Sequence, residues 1–231
     1  FARTGDWSIG PLGNIARYDL ASGTWHALPN AGLNAVVYAL AVSGGDLYVG
    51  GGFTGTGDGS LTDLHSIVRY DISANAWHAL PSRGLVGDTA QYAVHALAAS
   101  GSDLYVGGLF LRSGDGLLTD LGNVARYSTA TRTWHPLPAS GLGGQVYALA
   151  VSDGALYVGG RFDQTGDGST TDLGNIARYD GAWRGLSNGG VIDDSLFNGK
   201  PWGVVRALAA DGDSLYVGGG FAHTVDGVVA D

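Results

Sequence analysis

The 231-residue chain has no cysteine. Disulfides, thiolate metal sites and cysteine nucleophiles are therefore excluded. Methionine is absent too, and position 1 is Phe1, so the chain is expected to be processed from, or part of, a longer protein or assembly. There is no glutamate: all 21 acidic residues are Asp. Asp favours turns where Glu favours helices, so this bias argues against helix. Lys200 is the sole lysine among the 12 basic residues. A net charge of −9 leaves no basic footprint for nucleic acid, while permitting a cation or a basic partner. No apolar run reaches the length of a membrane-spanning helix, and no signal peptide or Asn-x-Ser/Thr sequon is visible. Neither a Gly-x-Ser-x-Gly elbow nor a His-Glu-x-x-His pair occurs.

What the chain does have is glycine, 41 residues of it, in a sequence that is 45% hydrophobic and 10% aromatic. That combination suits many short strands joined by tight turns. The strands come as a repeat. Phe1, Phe53, Phe110, Phe162 and Phe221 stand 52, 57, 52 and 59 residues apart. A period near 50 indicates a propeller or solenoid. Each unit carries four apolar runs, here labelled A to D. Run A is VYALAVS at 37–43 and run B is DLYVGGGF at 46–53. Run C is SIVRYD at 66–71 and run D is AWHALP at 76–81. Their Val, Tyr and Trp content, bounded by Gly, Asp, Asn or Pro, predicts strands. Four antiparallel strands per unit predict one blade of an all-β propeller.

The stretch LYVGGGF…IVRYDISANAWHALP resembles the kelch motif, in which a strand ending in paired glycines is followed by a Tyr and then a Trp. The glycine pairs are Gly50/Gly51, Gly107/Gly108, Gly159/Gly160 and Gly218/Gly219. The Tyr set is Tyr18, Tyr70, Tyr127 and Tyr179, and the Trp set is Trp25, Trp77, Trp134 and Trp183. The resemblance covers the whole chain and includes the blades of galactose oxidase. That enzyme's copper site needs a Cys–Tyr cross-link, which a chain without cysteine cannot form. The family includes enzymes and many binding modules, so the fold implies no single function.

The repeat divides one domain, 1–231, into units of approximately 1–35, 36–93, 94–145, 146–203 and 204–231, the first and last incomplete. The chain opens on strands C and D and closes on A and B, giving four blades' worth of strands. Pairing of the two ends would close a four-blade ring. Residues 1–11 and 221–231 are both copies of the B–C loop, however, which a closed ring needs once; the alternative is a segment of a larger ring.

Length variation falls in the D–A connections, 82–93 and 187–203. These share a face with the B–C loops, and insertions gathered on one face mark a binding face. Tyr92, Asp193, Asp194, Phe197 and Trp202 are the candidate ligand-binding residues there, for a protein or a glycan. The B–C loops repeat GDGSLTD (57–63), GDGLLTD (114–120), GDGSTTD (166–172) and VDGVVAD (225–231). No cofactor is expected, with Ca²⁺ as the alternative: the second Asp of each loop (Asp63, Asp120, Asp172, Asp231) would be the metal ligand, although the alternating acids and closing Glu of an EF-hand loop are missing. The first Asp is expected to be structural. Arg17, Arg69, Arg126 and Arg178, one per C strand, need carboxylates when covered on both faces. They are expected to pair with Asp6, Asp58, Asp115 and Asp167. His26, His78 and His135, one per outermost strand, are expected to stand apart as edge decoration.

The expected function is a non-catalytic binding or scaffold module, extracellular or in the cell envelope. One alternative is a carbohydrate-active hydrolase or lyase with its site on the loop face, where Asp193, Asp194, Asn198, Lys200 and Trp202 break the repeat. The other is a structural subunit of a multi-chain complex.

Overall fold

The computed structural model describes residues 9–88, 92–193, 196–197, 200–201 and 203–227. The chain is all-β, in antiparallel four-stranded sheets of the β-propeller kind. Blade I comprises A (Val37–Ser43), B (Asp46–Gly51), C (Ile67–Asp71) and D (Ala76–Ala79), hydrogen-bonded in that order. Blade II is Ala93–Ser100, Asp103–Leu109, Val124–Ser128 and Thr133–Pro136. Blade III is Gln145–Ser152, Ala155–Arg161, Ile176–Tyr179 and Trp183–Gly185. A leading C–D pair (Ala16–Asp19, Thr24–Ala27) and a trailing A–B pair (Val204–Asp211, Ser214–Gly220) flank them. Among the described residues these two half-blades form separate two-stranded sheets.

The inner A strands pack on one another in chain order, from blade I through II and III to the trailing pair. Each A–B ladder slips register at one place, between Val37 and Ala39, Val94 and Ala96, Val146 and Ala148, and Val205 and Ala207. A bulge re-aims the residue it skips. Those residues are Tyr38, His95, Tyr147 and Arg206. They stack in series, Tyr38 to His95 at 5.0 Å, His95 to Tyr147 at 5.4 Å, and the Arg206 guanidinium 5.5 Å from the Tyr147 ring centre. Burial pushes the His95 pKa below its ordinary value.

Each core cluster spans a seam between neighbouring blades. Tyr48, Ile67 and Leu80 of blade I pack with Leu104, Phe110, Tyr127 and Trp134 of blade II. The paired glycines make this close approach possible. A Cβ on Gly50, Gly107 or Gly159 would lie 2.4, 2.4 or 2.3 Å from Cγ1 of Val94, Val146 or Val205, the second residue of the next A strand. The Tyr and Trp of strands C and D stack 4.9–5.0 Å apart in every unit. The indole then ties back to the preceding unit: Trp77, Trp134 and Trp183 donate to the carbonyls of Pro29, Pro81 and Pro138 at 2.9, 3.0 and 3.0 Å. This satisfies the one polar atom of an otherwise apolar side chain.

The expected pairing of the C-strand arginines with the loop carboxylates does not occur. Arg69 bonds Asp46 at 2.7 Å, Arg126 bonds Asp103 at 3.1 Å, and Arg178, where Ala155 replaces that Asp, pairs with Asp180 at 2.9 Å. Register is the cause. Arg69 lies opposite Tyr48, near the start of strand B, so its guanidinium reaches the A–B hairpin end of the blade. Asp58, Asp115 and Asp167 sit beyond the other end. Asp6, expected to partner Arg17, lies outside the described residues.

Candidate functional site

The B–C loops and D–A connections build one face, and a hydroxyl two residues before each loop Asp organises it. Thr56, Ser113 and Thr165 are buried. Thr56 Oγ1 donates to Asp58 Oδ1 at 2.8 Å and accepts the Leu61 amide at 3.1 Å. Ser113 and Thr165 repeat both bonds with Asp115 and Leu118 and with Asp167 and Thr170. In the trailing unit Thr224 donates to Asp226 at 2.7 Å. The carboxylates also accept the amides of Ser60, Leu117 and Ser169. Backbone and side-chain bonds from Ser60 thus hold the Asp58 carboxyl well below the usual carboxylate range. The Ser113 hydroxyl leads for Asp115 and the Ser169 amide for Asp167, with the same direction. Asp58, Asp115 and Asp167 thus bond within their own turns rather than to an arginine.

Each turn is clasped to the D–A connection before it. The amides of Gly57 and Asp58 donate to the carbonyls of Gly32 and Asn30, and those of Gly166 and Asp167 to Gly141 and Ala139. Glycine is needed for this approach, since a Cβ on Gly57 would lie 2.2 Å from the Ala31 carbonyl oxygen. The pairs Leu33–Thr56, Leu85–Ser113, Leu142–Thr165 and Val191–Thr224 complete the clasp.

The second Asp has a different character. Asp63, Asp120 and Asp172 are exposed and sit at φ of +58°, +58° and +60°. Among the described residues Asp120 and Asp172 accept only the neighbouring Thr119 and Thr171 hydroxyls, both at 3.0 Å. They line matching cavities at successive seams. One, of about 280 Å³, holds Asp120, Asn123, Ser140 and Gly166. The other, of about 300 Å³, holds Asp163, Asp172, Asn175 and Ile192. Among the described residues no three His or Asp side chains converge as metal ligands. The three acids stand one per blade, and Asp231 lies outside the described residues.

The seam between blades I and II breaks this pattern. Elsewhere a Gly-Asn pair at positive φ precedes strand C, and Asn14, Asn123 and Asn175 donate to the carbonyls of Leu33, Leu142 and Val191 at 3.0, 3.0 and 2.9 Å. Blade I has His65 and Ser66 there, at φ +43° and +71°. The His65 ring lies at the seam, with Nδ1 2.7 Å from the Arg83 carbonyl oxygen, and Ser66 Oγ is buried with no hydrogen-bond partner among the described residues. Ser66→Asn should restore the missing bond in a conformation that Asn tolerates better, and raise stability by about 1–2 kcal/mol. Urea denaturation checks this; an unchanged or lowered midpoint would show that the asparagines are not the tie.

Tyr92, half-buried, stacks near His65 with ring centres 6.2 Å apart at the seam between blades I and II. Asp193 follows the short strand Val191–Ile192 at the last seam. Phe197 belongs to a two-stranded ribbon, Leu196–Phe197 with Lys200–Pro201. Asp194, Asn198 and Trp202 lie outside the described residues. The buried hydroxyls of Thr56, Ser113 and Thr165 have a sequence signal of their own, since with Thr224 they recur two residues before the first Asp of the loop.

Comparison with known proteins bears on this frame. Residues 38–84 match the Kelch motif. Polarized growth protein rax2 of Schizosaccharomyces pombe is 39% identical over 77 residues, covering 33% of this chain and 6% of that protein. Polarized growth protein L1 of a Phoma species is 33% identical over 102 residues, covering 43% and 7%. The chain thus matches only a small fraction of the length of these relatives. Among solved structures, the extracellular domain of the putative one component system BT4673 from B. thetaiotaomicron aligns over 92% of this chain and 24% of that one, with a TM-score of 0.54 and 17% identity. The computationally designed Ika8 protein aligns over 91% and 51%, with a TM-score of 0.51 and 18% identity. At these identities the likeness concerns fold alone. No helix among the described residues is long and apolar enough to cross a membrane.

Proposed function

We propose that this chain of kelch-type repeats is a non-catalytic scaffold whose loop face binds a protein partner carrying basic groups. The observation that carries this reading is the division of labour within each B–C motif. Asp58, Asp115 and Asp167 are consumed by their own turns, while Asp63 is exposed and Asp120 and Asp172 accept, among the described residues, only the neighbouring Thr119 and Thr171 hydroxyls. Clasped turns present the second carboxylates at repeat spacing, beside cavities wide enough for a long side chain. A net charge of −9 favours encounter with a cationic surface. Arg is suited to such sites because its planar fork matches a carboxylate.

A displayed random-peptide library selected on the immobilised chain tests this, with counter-selection on Asp63→Asn/Asp120→Asn/Asp172→Asn. Asn keeps the left-handed backbone that these positions adopt. Basic peptides specific for the native chain are expected. No enrichment, or peptides that bind the variant equally well, would refute the reading.

A further inference from the structure

The polar loop face has an apolar interruption in blade II. Leu111 and Leu117, 38% and 82% exposed, are the only exposed large apolar side chains described between Ala93 and Gly185. Blade II is flanked by the complete blades I and III, and neither covers them. On the premise that the loop face binds a basic partner, we propose that the blade II loop receives that partner's apolar side chain. The bound segment then carries a large aliphatic or aromatic residue beside the basic residue that meets Asp120.

The sister loops show what the fold asks of these two positions. In the place of Leu117, Ser60 donates its hydroxyl to Asp58 at 2.7 Å, and the Ser169 hydroxyl lies 3.4 Å from Thr165 Oγ1. Leu117 keeps the amide bond to Asp115, at 3.1 Å, and gives up the hydroxyl. In the place of Leu111, Thr54 Oγ1 accepts from Asn34 at 3.1 Å, and Asp163 accepts the Gly174 amide at 3.3 Å. Leucine has no side-chain atom for any of these bonds. The turn therefore closes at least as well with polar residues at both positions. Burial does not account for the leucines either, since both stay open to solvent. Apolar surface gathered in one loop and rimmed by polar residues marks a site of interaction.

The surface beside Leu111 is concave. Leu111 and Leu142 line the cavity of about 280 Å³ between blades II and III, together with Asp120, Ser140 and Gly143. An apolar side chain entering there meets two leucines. Charge then selects its neighbour. Asp120 borders the same cavity and accepts, among the described residues, only the Thr119 hydroxyl. A carboxylate at the rim of an apolar cavity favours a segment in which Lys or Arg adjoins the apolar residue, and disfavours one in which an acid does.

Leu111→Thr/Leu117→Ser gives blade II the residues that blade I has at these positions, Thr54 and Ser60. This variant is expected to melt no lower than the native chain, because Ser regains a hydroxyl for Asp115. Peptides selected from a displayed random library on the native chain should share a Leu, Ile, Phe or Trp next to a Lys or Arg. In calorimetric titration such a peptide should bind the double variant about tenfold or more weakly, as expected when one large apolar side chain is no longer buried. Leu117→Ser alone should weaken it severalfold at an undiminished melting temperature. Selected peptides that share basic residues and no apolar one, or an affinity undiminished in both variants, overturn this proposal and leave the basic-partner reading standing. Peptides that share apolar residues without basic ones overturn that reading and this proposal together.

Discussion

Trp134→Ala is expected to lower the unfolding free energy by about 5 kcal/mol, which combines the cost of emptying a buried Trp site with that of one lost hydrogen bond. Trp134 is 6% exposed, stacks on Tyr127 at 4.9 Å and donates to the Pro81 carbonyl at 3.0 Å. It joins two blades, so its loss opens a cavity in the seam and strands a carbonyl at once. Typical domains have only about 5–15 kcal/mol in hand, so the effect should approach loss of the fold. Trp134→Phe keeps most of the packing and removes only the donor, and should cost about 1–2 kcal/mol. Urea titrations of both variants separate the contributions. Equal losses for Ala and Phe would mean that the hydrogen bond, rather than the buried ring, carries the seam.

Gly107→Ala is the second large effect. A Cβ there would lie 2.4 Å from Val146 Cγ1, far inside contact distance, and the collision is with the next blade rather than with a mobile side-chain tip. Overpacking of this kind costs about 2–3 kcal/mol. Val146→Ala on the other side of the seam also destabilises, by leaving a void. The double substitution should lose less than the sum of the two, by about 1 kcal/mol or more, because each change makes room for the other. Strict additivity would show that the glycine is required for some reason other than the valine it faces.

The repeat made the blades legible. Runs such as VYALAVS and DLYVGGGF read as strands because they are short, apolar and rich in Val and Tyr between turn residues, and their order gave A to D. The tie of Trp134 to a proline one blade earlier could not be read, since it depends on how blades stack. The arginine pairing failed for a related reason. Asp46 and Asp58 both lie within reach of Arg69 along the chain, and only the register of strand B against strand C decides between them. The loop itself was half legible. Asp-Gly announced a turn, but the role of Asp58 came from Thr56, two residues earlier, whose recurrence as Ser113 and Thr165 is plain once the bond is seen. The break at His65–Ser66, where the other units have Gly-Asn, was visible in the sequence and marks the seam whose geometry departs from the rest.

In the proposed function, the first Asp of each loop holds the face together and the second meets the partner. Calorimetric titration of a selected basic peptide into the native chain and into Asp63→Asn/Asp120→Asn/Asp172→Asn, with the melting temperature of each recorded, tests it most directly. An unchanged melting temperature is expected, with an affinity about tenfold weaker, the sum expected of three exposed charge pairs. Undiminished affinity in the triple variant, or a variant that melts early, would contradict it.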